Sequence, residues 1–243
     1  MAFCEFRYSS PSLGMQTAAN IFVPQRSGPF AVLYLLHGLS DNHTIWQRRT
    51  RLEAYLDELN LPLMIVMPDG GRGFYTDAQE GFAYESAIVK DLVPLIDTTF
   101  QTSGKRAVGG LSMGGYGGVK LALKYPELFV SGHSHSGALA VARSLWERDD
   151  AFVREMTRIF GDSPAGGPDD PFALAKQASP RPALRIDCGV DDFLIEGNRV
   201  FSAYLNELGY DHEYEEFPGG HSWEYWDLHI RQALQFHARH LFA

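Results

Sequence analysis

Apolar residues along the chain fall into short runs separated by longer stretches with helical spacing. The segments FAVLYLLHG (30–38) and LPLMIVMPDG (61–70) are continuous apolar runs that end in turn residues. Such runs belong to strands buried on both faces. FCEFRYSS (3–10) and MQTAANIFVP (15–24) read as two earlier strands, and KRAVGG, LFVSGHSHSG, ALRIDCG and HEYEEFPGG as four later ones. Between them, ESAIVKDLVPLIDTTF (85–100) has the apolar spacing of a helix, with a kink predicted at Pro94. Further helices are predicted over 113–125 and 196–208, and WEYWDLHIRQALQFHARHLF closes the chain. Strands alternating with helices predict an α/β fold, with a mostly parallel central sheet and helices on both faces. Residues 139–180 break the rhythm. They hold a charged helix-like piece, SLWERDDAFVREMTRIF, and the loop GDSPAGGPDDP, a short excursion over one end of the sheet. The whole chain, 1–243, is expected to form one domain.

Composition narrows the function classes. The chain has 45% hydrophobic and 21% charged residues and a formal net charge of −9, which opposes a nucleic-acid partner. No apolar run approaches the length of a membrane span, so no membrane partner is expected. Two cysteines, Cys4 and Cys188, cannot build a disulfide framework and fit a reducing compartment. MAFCEFRYSS lacks the basic and apolar regions of a signal peptide, so a cytoplasmic location is the default expectation.

The densest chemical signal is VGGLSMGGYGG (108–118), which follows a predicted strand and opens a predicted helix. Its centre, Gly110-Leu111-Ser112-Met113-Gly114, fits G-x-S-x-G, the turn that presents a nucleophilic serine above the sheet. The bland alternative is a glycine-rich helix start with an ordinary N-cap serine; the strand–turn–helix context favours the nucleophile. A phosphate loop is a poor competitor, because no Gly-Lys-Ser/Thr follows the glycines. The base and acid of such a site come later in the chain, in the order serine, carboxylate, histidine. His221, in FPGGHSW directly after the last predicted strand, is the candidate base. GVDDF, just past ALRIDCG, offers Asp191 and Asp192 as the acid, and either could instead cap the following helix. The oxyanion needs two backbone N–H groups. Met113, after the serine, supplies one, and Leu39, after the His37-Gly38 pair in LLHGLSDNHTIW, supplies the other. His133 and His135 lie two apart on a predicted strand and could mimic a metal pair. With no third ligand motif they are read as buried, hydrogen-bonded histidines, and no metal is expected. His229, His237 and His240 on the last helix are read as structural or solvated. A non-catalytic binding module would be expected to lack a member of the serine–acid–histidine set, and none is lacking.

Taken together, LLHGL…W, GGLSMGG, CGVDDFL and GGHSWEYW resemble the esterase D-type carboxylesterases, and the bacterial tributyrin esterase branch in particular. MPDGGRGFYTD and YESAIVKDLVPLID extend the resemblance, which covers roughly residues 3–240. It implies an α/β-hydrolase fold and hydrolysis of short-chain acyl esters without a cofactor. Matched in register, it implies Ser112, Asp192 and His221 as the catalytic residues, with Leu39 and Met113 at the oxyanion hole. The implied partner is a small-molecule ester; whether the chain forms a homo-oligomer stays open. S-formylglutathione hydrolases typically carry a cysteine after this oxyanion segment, whereas LSDNHTIW has none. Mycolyltransferases are similar in fold but secreted. Feruloyl and acetyl-xylan esterases use the same scaffold, so an aromatic acyl pocket lined by Trp46, Tyr75, Trp223 and Trp226 is a further expectation.

Overall fold

The computed structural model of the protein describes residues 1–144 and 150–243. Among them, eight strands form one sheet: β1 (Ala2–Ser10), β2 (Met15–Val23), β3 (Phe30–Leu36), β4 (Leu63–Pro68), β5 (Thr102–Leu111), β6 (Ser131–His135), β7 (Ala183–Gly189) and β8 (His212–Phe217). Their spatial order is β1-β2-β4-β3-β5-β6-β7-β8. β2 pairs antiparallel with β1 and β4, and every other pairing is parallel. This is the mostly parallel sheet expected from the alternating pattern.

The period of two along a strand explains why the central runs are apolar throughout. In β3, Val32, Tyr34 and Leu36 enter one core, while Ala31, Leu33 and Leu35 enter the other. In β4, Met64 and Val66 face the first core, and Leu63, Ile65 and Met67 the second. The second core is closed by α1 (Ile45–Arg49), α2 (Leu52–Leu59) and α10 (Trp223–Leu241). The first is closed by the helix over 84–99, by α5 (Met113–Lys124) and by α9 (Ile195–Glu207).

Pro94 does not simply kink its helix. The helix begins as α3 (Tyr84–Ser86), passes through a π-helical stretch, Ala87–Leu92, and continues as α4 (Val93–Thr99). Proline has no N–H to give, and its ring crowds the carbonyl four residues back. The wider π turn just before it, with Val93 N–H bonding to Ile88 C=O, accommodates both. Helices α1 and α2 fill a stretch for which no element was predicted. Residues 139–180 form the expected excursion, with α6 (Val141–Ser144), α7 (Ala151–Phe160) and α8 (Pro171–Gln177). The helix-like piece predicted over 144–160 is helical from Ala151, where the Asp150 carboxylate caps the N–H groups of Phe152 and Val153. Its part at 145–149 lies outside the described residues.

Candidate active site

The C-terminal ends of the central parallel strands are where loops from different elements converge, and the predicted site residues lie there. Ser112 sits between β5 and α5 with φ 53° and ψ −116°, a left-handed backbone that costs a non-glycine residue roughly 1–3 kcal/mol. The flanking glycines allow this turn to press into the sheet. A Cβ on Gly110 would lie 2.3 Å from the Leu36 carbonyl oxygen, and one on Gly114 would lie 2.4 Å from the same atom. The Ser112 N–H donates to His135 C=O at 2.9 Å, tying the turn to β6.

Two other loops bring side chains to this hydroxyl. Gly189, the last residue of β7, leaves room for the loop after β8: a Cβ there would fall 2.3 Å from the Gly219 carbonyl oxygen. The Asp191 N–H donates to that same carbonyl, so the two loops are zipped together. His221 Nδ1 then lies 2.8 Å from Asp192 Oδ2, and its Nε2 lies 3.0 Å from Ser112 Oγ. The carboxylate can only accept, so the imidazole proton belongs on Nδ1 and Nε2 is free to accept from the serine hydroxyl. Asp192 is buried, and its Oδ1 accepts the Leu194 N–H at 2.8 Å. Burial alone would raise the Asp192 carboxyl, but hydrogen bonds from His221, the Leu194 N–H and Ser136 outweigh it and hold it below the ordinary range. Asp191 is exposed. The structure therefore gathers Ser112, Asp192 and His221 and leaves Asp191 outside.

Leu39 and Met113 line the same cleft as Ser112, and among the described residues neither backbone N–H has an acceptor. Met113 opens α5, where the helix dipole favours negative charge. The cleft has a volume of about 430 Å³, and its walls are mainly apolar: Phe74, Leu139, Val141, Phe152 and Phe193. Phe193 also leans on the His221 ring, with centroids 4.6 Å apart, and Trp226 meets that ring edge-on at 4.9 Å.

The aromatic residues expected to line an acyl pocket lie elsewhere. Trp46 is buried in the second core, its indole N–H donating to Leu36 C=O at 3.0 Å. Tyr75 is fully buried, with its hydroxyl on the His37 carbonyl. Trp223 is half-buried and packs edge-on against Trp46 and Trp226, and Trp226 donates its N–H to Ser136 Oγ. Large rings fill the seam between helix and sheet, which a single sequence does not distinguish from a pocket wall. Phe74, in the loop after β4, and Phe152, Leu139 and Val141, on the excursion, carried no comparable signal, since apolar residues there read as packing. His133 Nδ1 is 2.6 Å from His237 Nε2, and His135 Nδ1 is 2.8 Å from the Asp187 carboxylate. Among the described residues no group of three His, Cys, Asp or Glu side chains could hold a metal. No helix among them is long and apolar enough to cross a membrane.

A family model describing esterases matches residues 10–237. The chain belongs to the Esterase family. This esterase is 32% identical over 219 residues to an acetyl esterase of Caldicellulosiruptor saccharolyticus, covering 84% of this chain and 82% of that protein. Its fold superposes on FphF, a fluorophosphonate-binding serine hydrolase of Staphylococcus aureus, with a TM-score of 0.88, 29% identity and 98% of each chain covered. The S-formylglutathione hydrolase FrmB of Staphylococcus aureus gives a TM-score of 0.85 at 29% identity, again over 98% of each chain. The esterase thus has an α/β-hydrolase fold and is a carboxylic ester hydrolase.

Proposed function

We propose that this esterase is a serine carboxylesterase of the esterase D type, close to the tributyrin esterases, that hydrolyses short-chain acyl esters through an acyl-enzyme. The observation that carries the reading is the unbroken line from Asp192 through His221 to Ser112 Oγ, with distances of 2.8 and 3.0 Å, opening on an apolar cleft. In the first step His221 Nε2 takes the Ser112 proton as Oγ attacks the ester carbonyl. The tetrahedral oxyanion accepts from the Leu39 and Met113 N–H groups. His221 then protonates the leaving alcohol, and the acyl group remains on Ser112 with its chain in the cleft. Water, deprotonated by His221, repeats the attack and releases the acid. Asp192 holds the imidazole in the Nδ1–H tautomer and offsets its positive charge between steps.

Likeness to the acetyl esterase supports a small acyl group; likeness to FrmB supports a thioester as the second reading. Steady-state kinetics on 4-nitrophenyl acetate and butyrate beside S-formylglutathione separates them: a kcat/KM higher for the thioester would favour the second. Ser112→Ala is expected to lower kcat by about 10⁴–10⁶ on every substrate, because the three residues act as a unit. Turnover retained by purified Ser112→Ala would remove the nucleophile assignment.

A further inference from the structure

Tyr75 is fully buried in the loop after β4, beside Phe74 on the cleft wall. Both residues have left-handed backbones, with φ of 50° and 51°. Two bulky residues adopt that conformation in succession only where their surroundings over-determine it. Lys120, itself fully buried on α5, supplies much of that constraint. Its ammonium donates to the Tyr75 carbonyl at 2.5 Å and to Thr76 Oγ1 at 3.2 Å, and it ion-pairs with the buried Glu85. The Tyr75 ring lies against Gly117 of α5, where a Cβ would fall 2.5 Å from Tyr75 Cδ2. Held in this way, the Tyr75 hydroxyl donates to the His37 carbonyl at 2.9 Å.

The His37 ring continues the chain of contacts. The Gly70 N–H lies 2.9 Å from His37 Nε2, and His37 Nδ1 lies 2.7 Å from the Gly38 carbonyl oxygen. A backbone N–H can only donate and a carbonyl can only accept, so the ring is neutral with its proton on Nδ1. The Asp69 carboxylate, 3.6 Å from Nε2, is beyond hydrogen-bond reach and accepts the Gly71 N–H instead. In a planar trans peptide the C=O and N–H point in opposite directions. Anchoring the His37 carbonyl fixes one peptide plane, and anchoring the Gly38 carbonyl fixes the next. The N–H of that second peptide belongs to Leu39, and it turns away from His37 and has no acceptor within the described chain.

We propose that Tyr75 and His37 are positioning residues that aim the Leu39 N–H at the oxyanion formed on an ester at Ser112. This rests on the serine-esterase reading above and deepens it. Neither side chain touches the substrate. Their effect is on the transition state, because the oxyanion forms only there, so it falls on kcat and leaves substrate binding alone.

The test is Tyr75→Phe, which keeps the ring and removes the hydroxyl. Losing a whole oxyanion donor costs about 10²–10³ in kcat, so losing its support is expected to cost about 10–100-fold. KM should stay within about twofold. Affinity for butylboronic acid, which forms a tetrahedral adduct on a nucleophilic serine, should weaken by the same factor as kcat. Tyr34→Phe is the control: Tyr34 is equally buried, and its hydroxyl has no partner among the described residues. A wild-type kcat in Tyr75→Phe, or a loss shared equally by Tyr34→Phe, would overturn the proposal. Should Tyr75→Phe fail to fold, His37→Asn and His37→Leu read the same geometry, since Asn keeps an N–H near the Nδ1 position. Asn should retain at least about tenfold more kcat than Leu, and equal losses would overturn the proposal. Fluorophosphonate labelling of wild-type Ser112, located by peptide mass, separates the two levels. No label there defeats the serine-esterase reading itself; a label together with an unaffected Tyr75→Phe defeats only the positioning role.

Discussion

At Ser112 a strained backbone presents one hydroxyl, and two adjacent aspartates 80 residues later differ in everything except their charge. Asp192 is buried at 3% exposure and bonded to His221; Asp191 faces solvent and contributes its backbone N–H to the neighbouring loop. Adjacent residues leaving a strand point in different directions, so only one of the pair can reach the imidazole. Asp192→Asn keeps the shape but, as an amide, it can offer an N–H where the carboxylate only accepted, which favours the wrong imidazole tautomer. A loss of about 10⁴ in kcat is expected for this variant, with the fold kept, while Asp191→Asn keeps most of its turnover. Steady-state kinetics on both variants checks this; the reverse pattern would move the acid to Asp191. The sequence made Ser112, the Asp191–Asp192 pair and His221 legible because each follows a recognisable strand end, and a strand end fixes where its loop goes. The strand end did not choose within the pair, and only the family resemblance implied Asp192. The cleft walls were not legible in the same way. Whether Phe152 faces a cavity depends on how the excursion folds over the sheet, and whether Trp46 does depends on how α10 packs against it; no local pattern encodes either.

Among the elements, β6 and α10 meet through a seam of histidines. His133 and His237 share a hydrogen bond at complete burial, and His237 Nδ1 reaches Ser131 Oγ at 2.8 Å. Burial, reinforced by neighbouring imidazoles and Arg185, pushes His133 well below its ordinary range and His237 down to about 3. Both are neutral in the folded protein at mildly acidic pH, whereas a histidine in the unfolded chain takes up its proton near about 6.5. Below that value the unfolded state binds more protons, so stability falls as pH drops from about 6.5 toward 3. The slope should steepen as pH falls through about 6.5 and approach about 1.4 kcal/mol per pH unit for each of the two histidines about one unit below it. Carboxylates held low do not contribute in the upper part of this window. Glu85, which burial would raise but Lys120, Lys124 and Tyr125 hold at about 2, destabilises the fold only below the ordinary glutamate range. Urea unfolding at pH 7.5, 6.5 and 5.5 measures the slope, and His237→Gln should remove about one proton's share of it. Identical slopes in the two proteins would contradict the assignment. β3 and β4 were readable from the sequence as short unbroken apolar runs ended by turn residues, because both of their faces are buried, and α10 because it buries a face of fixed period. Helices α1 and α2 were not, since a five-residue helix and an eight-residue one offer too few turns to establish a period. The π-helical turn before Pro94 depends on hydrogen-bond register, which the apolar pattern does not carry.

For the molecule as a whole, chain-length selectivity depends on what closes the cleft. One wall is the excursion, through Leu139, Val141 and Phe152; the other is the loop entering α9, through Phe193 and Leu194; Met113 and Leu39 flank the serine. Helix α7, which supplies Phe152, has only ten residues and buries Val153, Met156, Ile159 and Phe160 against the protein, so its apolar face is already covered. An acyl chain inside the cleft gains up to about 0.8 kcal/mol per buried methylene, or about fourfold in kcat/KM. The gain stops where the chain reaches the end of a cavity of about 430 Å³. Beyond that point further methylenes return to water and contribute nothing. The expected profile for soluble 4-nitrophenyl esters below saturation is a rise from acetate to butyrate and a fall before the long-chain lipids. Phe152→Ala removes a ring from the wall, so the same enzyme should shift its optimum toward octanoate while its turnover of acetate changes little. A profile that climbs steadily to long chains in the wild-type protein, or one that Phe152→Ala leaves in place, would mean that the acyl group does not lie against this wall.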